Sequence, residues 1–301
     1  MKKEKKTGIR CNHPKPGGRV KTRRVPEQRK DLVQAGQILF ICLLFCVKWD
    51  KIDLFAASYA APEKDENFQD RKKGGIWMCG RYTLTASVNE LEERFHAKAS
   101  FPGSEYAKSY NVAPSQMVAA VISARGQYRL GFLKWGLIPS WAKDPKIGHK
   151  MINARSETVF QKPGFREAVK RRRCLIPADS FFEWNRKDGT RAPMRITLKN
   201  GGIFAMAGLW EKWTDQEGNP VFTCTILTTK ANRMMAKIHD RMPVILRKED
   251  EEKWLDSTVT EPGRLLPLLA QYDSDAMEMY AVSERVNSPK NNFPELLLPK
   301  N

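Results

Sequence analysis

Three apolar runs, residues 195–198, 203–210 and 221–228, follow one another across short segments rich in Gly, Asn and Asp. Runs of this length bounded by turn residues read as β-strands. Three in succession constrain the fold more than any other stretch. A second pair, residues 117–122 and 128–133, brackets Arg125-Gly126 and reads as a hairpin. Ser87-Val88-Asn89-Glu90 has the form of a capping box, and Val88, Leu91 and Phe95 sit at helical spacing behind it, so a helix runs to about residue 96. Further helices are expected over 164–173, 231–238, 249–255 and 264–269, and further strands over 244–246 and 277–282. Residues 110–114 read as extended or looped and 135–144 as a loop rich in Trp, Pro and Gly. Strands and helices mix without βαβ regularity. The expected fold is therefore α+β, a single domain with a mixed, largely antiparallel β-sheet core and flanking helices.

This pattern begins at Met78. Residues 1–30 are basic, rich in Pro and Gly and without apolar period, which reads as disorder. The apolar run 38–47 has ten residues, whereas a bilayer needs about 20. Arg71-Lys72-Lys73-Gly74-Gly75-Ile76-Trp77-Met78 is what a purine-rich ribosome-binding stretch gives when translated in frame. The expectation is a domain over 78–301 behind an extension, 1–77, that is disordered or not translated. The formal charge of +18 divides evenly: residues 1–77 hold 18 Lys/Arg against 9 Asp/Glu, and the remainder 34 against 25. The domain is basic in its own right, which points to an anionic partner such as nucleic acid. Six cysteines lie scattered with no CxxC and no zinc-ligand spacing, which suits a reducing compartment. No metal and no cofactor are expected.

Short polar motifs interrupt the apolar segments. Met78-Cys79-Gly80-Arg81-Tyr82 is one. A chain that began at Cys79 would carry an α-amine and a thiol on one residue, a 1,2-aminothiol that condenses with aldehydes. Otherwise Cys79 is a small buried hydrophobe, as most free cysteines are. The others are Asn153-Ala154-Arg155-Ser156-Glu157-Thr158, Phe182-Glu183-Trp184 and Ile238-His239-Asp240-Arg241-Met242-Pro243. Taken singly, Asn153 can cap a turn, Glu183 can pair with a surface Lys, and His239 can hydrogen-bond Asp240 at a helix end.

Together with Tyr110-Asn111-Val112-Ala113-Pro114, Trp135-Gly136-Leu137-Ile138-Pro139, Arg173-Cys174-Leu175-Ile176-Pro177 and Ala207-Gly208-Leu209-Trp210, these motifs resemble the SOS response-associated peptidase (SRAP) family of abasic site processing proteins. The resemblance covers essentially all of 78–301. It implies Cys79 as nucleophile, Asn153 as sensor of the abasic site, Glu183 as acid/base and His239 as the group that assists opening of the sugar ring. It further implies a DNA-facing set of Gly80, Arg81, Asn111 and Trp141, with Arg155, Thr228 and Arg241. The arginines are read as phosphate contacts and Trp141 as a stacking surface. Residues 171–173, all Arg, read as a solvated helix face or a helix cap, with DNA contact as the alternative.

The function implied is covalent capture of abasic sites in single-stranded DNA through a thiazolidine on Cys79, with autoproteolytic exposure of that residue. Such a protein would act as a monomer in the cytoplasm, on the nucleoid when DNA is damaged, with lyase-like and peptidase chemistry and no membrane partner. Two alternatives stay open: a cysteine peptidase acting mainly on its own leader, and a non-catalytic DNA-binding module in which Cys79 is structural.

Overall fold

A computed structural model describes residues 80–186, 189 and 191–300. The expected extension 1–77 and Cys79 lie outside the described residues. Thirteen strands in this region form two sheets.

The larger sheet is built on β4 (Met117–Ala124), β5 (Gln127–Trp135), β7 (Arg173–Ala178), β10 (Phe204–Thr214) and β11 (Pro220–Lys230). Its pairings run β11-β10-β7-β4-β5, and β5 pairs again with β11, so the ring closes. Four of the five pairings are antiparallel and the closing one is parallel. The parity is obligatory, because five strands cannot alternate direction all the way round a ring. Closure leaves these strands without the open hydrogen-bonding edges of a flat sheet. Val121, Leu133, Leu175, Leu209 and Cys224, from all five strands, are buried in one continuous core.

The second sheet runs β13 (Met277–Ala281), β9 (Pro193–Leu198), β8 (Ser180–Trp184), β1 (Arg81–Leu84) and β3 (Ser109–Val112), antiparallel throughout. The chain crosses from barrel to second sheet at Asp179, between β7 and β8. Its carboxylate accepts from Thr85 N at 2.5 Å, from Thr85 Oγ1 at 2.7 Å and from Thr83 Oγ1, and its own N–H donates to Thr83 O at 3.0 Å. A corner that would otherwise leave backbone groups unpaired is thereby satisfied.

The expected local signals act as their chemistry dictates. Ser87 caps α1 (Val88–Phe95) in a reciprocal box with Glu90. Arg125 and Gly126, both at positive φ (53° and 75°), make the two-residue turn between β4 and β5, the geometry that a twisted hairpin favours. Three expectations are corrected. The helix expected over 164–173 reduces to α2 (Ala168–Arg171), where Arg173 ends it by donating to the carbonyls of Val169 and Lys170 at 2.8 and 2.6 Å. The helix expected over 231–238 is one 3-10 turn, Met235–Lys237, because Asn232 Oδ1 accepts from Met235 N and fixes a tight start. The strand expected over 244–246 falls instead at β12 (Arg241–Pro243), since β11 offers its partners there, and Ile245 keeps only an isolated bridge to Met206. Three strands that the sequence did not announce, β1, β6 (Asn153–Arg155) and β8, carry the polar motifs.

Candidate functional site

β11 is long enough to run past the barrel, and that overhang organises the site. Thr228 near its end pairs with Arg155 of β6 and with Pro243 of β12. One residue has two β-edges, so β6 and β12 flank β11 on opposite sides. Asn153 and Arg155 therefore stand on one side of Thr228, and Arg241 on the other, although 88 residues separate Asn153 from Arg241 in the chain. Thr228 is fully buried, and its carbonyl accepts from Ser156 N at 2.9 Å and Arg241 Nη2 at 2.7 Å.

Glu183 arrives from the other sheet. It sits on β8, whose register with β1 pairs Arg81 with Phe182 and Tyr82 with Phe181. One step further along the same register sets Gly80 opposite Glu183. The Glu183 side chain is almost wholly buried and faces His239, also buried, with Oε1 4.0 Å from Nε2. His239 follows the 3-10 turn Met235–Lys237, so two sheets must meet to make this pair. Arg186 N donating to Ile238 O at 3.4 Å ties the same two segments.

The proton on His239 follows from its neighbours. Nδ1 lies 3.0 Å from the backbone N–H of Arg241 and 3.0 Å from Asp240 Oδ1. An N–H can only donate, so Nδ1 accepts from Arg241, and the exposed Asp240 carboxylate has water to bond instead. The neutral ring then carries its hydrogen on Nε2, the nitrogen that faces Glu183.

The arginines and the remaining candidates divide by exposure. Arg155 is exposed, as is Trp141, at 62 %. Arg81 and Asn111 are buried and bonded to each other, Nη1 donating to Oδ1 at 2.8 Å. Both also hold the C-terminal segment. Arg81 donates to Val286 O and Asn287 O, and Asn111 Nδ2 to Val286 O, Ser288 O and Asn291 O at 2.8–3.2 Å. Burial lowers the Arg81 pKa to about 10, so the group stays charged at neutral pH. Arg81 and Asn111 thus spend their polar groups within the protein. Gly80 is half-buried, and a Cβ there would meet no described atom within 4 Å. Arg241 is buried under Glu157, which it grips with both Nη atoms at 2.5 and 3.0 Å. Of the arginine run, Arg172 pairs with Glu211 at 2.7 Å and Arg173 is a buried cap.

Sequence reasoning passed over two residues that this arrangement uses. Asp179 sits alone between β7 and β8, two strands that the sequence does not announce. Glu157 lies inside the polar motif 153–158, but nothing local marks its partner 84 residues away. Among the described residues, no group of three or more His, Cys, Asp or Glu could hold a metal ion, and no helix is long and apolar enough to cross a membrane.

Comparison with known proteins gives one consistent answer. The sequence profile described as SOS response associated peptidase (SRAP) matches residues 78–289. Abasic site processing protein YoqW of Bacillus subtilis (strain 168) is 56 % identical over 221 residues, 73 % of this chain and 99 % of that one. Abasic site processing protein HMCES of Rattus norvegicus is 32 % identical over 65 % of this chain and 66 % of its own length. A crystal structure of a protein from Bacteroides thetaiotaomicron superposes with a TM-score of 0.68 at 28 % identity, over 74 % of this chain and all of that one.

Proposed function

This chain belongs to the SOS response associated peptidase family, and from that premise we propose that it captures abasic sites in single-stranded DNA through an N-terminal Cys79. The observation that carries the reading is the buried Glu183–His239 pair, 4.0 Å apart, at the end of β1 where Gly80 leads back to Cys79. A carboxylate and an imidazole held together out of solvent can pass protons without competing with bulk water.

In the proposed reaction, removal of residues 1–78 exposes the Cys79 amine, with Cys79 and Glu183 also serving that cleavage. An abasic sugar opens to its aldehyde: His239 donates an Nε2–H hydrogen bond to the ring oxygen as the ring C–O bond breaks, and the proton lost by the C1′ hydroxyl passes to that oxygen through Glu183. The amine attacks C1′, and loss of one water leaves an imine. The thiol sulfur then adds to the imine carbon and the proton ends on nitrogen, closing a thiazolidine. Glu183 accepts and returns the protons in transit. Asn153, at the edge of β6, offers donor and acceptor to the sugar hydroxyls. Exposed Arg155 and Trp141 meet phosphate and base directly, while buried Arg81, Asn111, Thr228 and Arg241 set the shape of the surface.

The test is a heat- and detergent-stable adduct, read by intact mass, between protein starting at Cys79 and a single strand with one abasic site. Undamaged DNA should give none, and neither should a chain with a residue retained ahead of Cys79. Glu183→Gln should slow adduct formation by about 10²–10⁴-fold while leaving strand affinity nearly unchanged. If the blocked chain crosslinks as fast as the processed one, the aminothiol mechanism is wrong. Cleavage of unrelated peptides without any adduct would favour a general peptidase instead.

A further inference from the structure

Residues 136–152 connect β5 to β6 and carry Trp141 at their outer turn. Trp141 is 62 % exposed, whereas Ala142 beside it is buried. Adjacent residues thus point in opposite directions, one into solvent and one into the protein. A loose loop would turn an indole away from water, so this loop must be held. Its ends are fixed to the barrel: Gly136 N donates to Cys224 O at 2.8 Å, Ile138 N to the buried Thr223 Oγ1 at 2.9 Å, and Leu137 N to Met151 O at 3.2 Å. Gly136, at φ 133°, and Gly148 meet backbone to backbone, and a Cβ on Gly148 would lie 2.7 Å from Gly136 O. The middle of the loop is held by Trp213, near the end of β10. Its indole N–H donates to Ala142 O at 2.7 Å. Its ring packs with Ile138 and Ala142 in a small buried cluster of their own, flanked by Ile147 and by Val221, the partner of Trp213 across the β10–β11 ladder.

We propose that Trp213 is a positioning residue that holds Trp141 outward as a preformed platform for an unpaired base. This rests on the reading of Trp141 as a stacking surface in the proposed function. Trp213 is buried and acts through the backbone of the residue that follows Trp141. A platform ordered before the strand arrives keeps the full gain of stacking, because no loop has to be immobilised on binding. The hydrogen bond to Ala142 is shielded from water, so its loss leaves a buried carbonyl without that donor. The loop then has a reason to rearrange, and Trp141 moves with it.

The experiment measures equilibrium binding of an undamaged single-stranded oligonucleotide over a range of salt, so that crosslinking chemistry does not enter. Trp141→Ala should weaken binding about five- to hundredfold, the scale of one base–aromatic stack. Trp213→Phe keeps an apolar ring and removes the N–H, and it should weaken binding about two- to tenfold, the scale of one buried hydrogen bond. In a Trp141→Ala background the same change should alter affinity by less than about twofold, because no platform is left to misplace. The slope of log K against log salt should stay as in the unaltered protein, since stacking releases no counterions, and a slope shallower by about 0.7 would assign the loss to a phosphate contact and overturn the inference. A loss of equal size with and without Trp141 would make Trp213 a fold residue only, and would overturn it too. A second measurement needs no variant: ¹⁵N relaxation of the free protein should give the Trp141 amide an order parameter near ~0.85, and a value below about 0.6 would show a loop that is not preformed. If Trp141→Ala itself binds as the unaltered protein does, the stacking reading falls and this inference with it, while the adduct assay still judges the chemistry at Cys79. If Trp141→Ala weakens binding and Trp213→Phe does not, this inference alone falls.

Discussion

Cys174 and Cys224 show how far an environment can silence a reactive side chain. Both are fully buried in the barrel, one on β7 and one on β11. Burial pushes both thiols well above their ordinary range, and for Cys174 the neighbouring Cys224 adds to the rise. The thiolate is the nucleophile, so neither should react in the native state. A thiol-directed alkylating agent at pH 8, followed by peptide mapping, should leave both unmodified until the protein is unfolded, and labelling of either in the native protein would refute this. The sign for stability follows. Unfolded thiols ionise near ~8.5 while the folded ones stay protonated, so the unfolded state holds fewer protons above that pH. Stability contributed by these thiols is present below about 8.5 and declines as pH rises beyond it. The catalytic candidates behave differently at this scale, for each was nameable from its motif. Their relations were not: the His239 tautomer depends on the Arg241 backbone N–H, and Glu183 meets His239 only through space.

At the scale of elements, the signals that were legible were those written within a few residues. The Ser87–Glu90 box, the Arg125-Gly126 turn and the apolar runs of β4, β5, β10 and β11 need no distant partner to be recognised. β1, β6 and β8 were illegible for the opposite reason. They are three to five residues long, and polar residues stand at positions that burial would normally reserve for apolar ones: Arg81, Thr83, Ser180 and Glu183. Barrel closure has its own requirement at Gly208 on β10, which pairs with Cys174 of β7 on one side and Ile226 of β11 on the other. A Cβ there would lie 2.7 Å from Cys174 Sγ, 3.0 Å from Ile176 Cγ1 and 3.3 Å from Thr225 O. These neighbours are buried and have no room to move. Gly208→Ala should therefore cost about 1–3 kcal/mol, the range for overpacking a dense core. Chemical denaturation should show a lower midpoint, and an unchanged midpoint would mean that the strands can part without cost.

The whole molecule raises the question of what the first 77 residues add. Among the described residues, the buried apolar core of the two sheets runs from residue 82 to residue 296. A chain starting at Met78 should accordingly unfold in one cooperative transition with a melting temperature within a few degrees of the full chain. Loss of cooperativity would show that the extension belongs to the fold. By itself the sequence determined the class of fold, the basic character and the family, because composition, period, turn chemistry and short motifs are local properties. Tertiary structure decided the rest. The barrel closes by a parallel pairing between β5 and β11, strands some 90 residues apart. Glu183 comes from the second sheet and His239 from the turn between β11 and β12 of the first, and Glu157 covers Arg241 across the end of β11. Each of these relations depends on the register between strands far apart in the chain. Register is fixed only when the apolar faces of all of them pack at once.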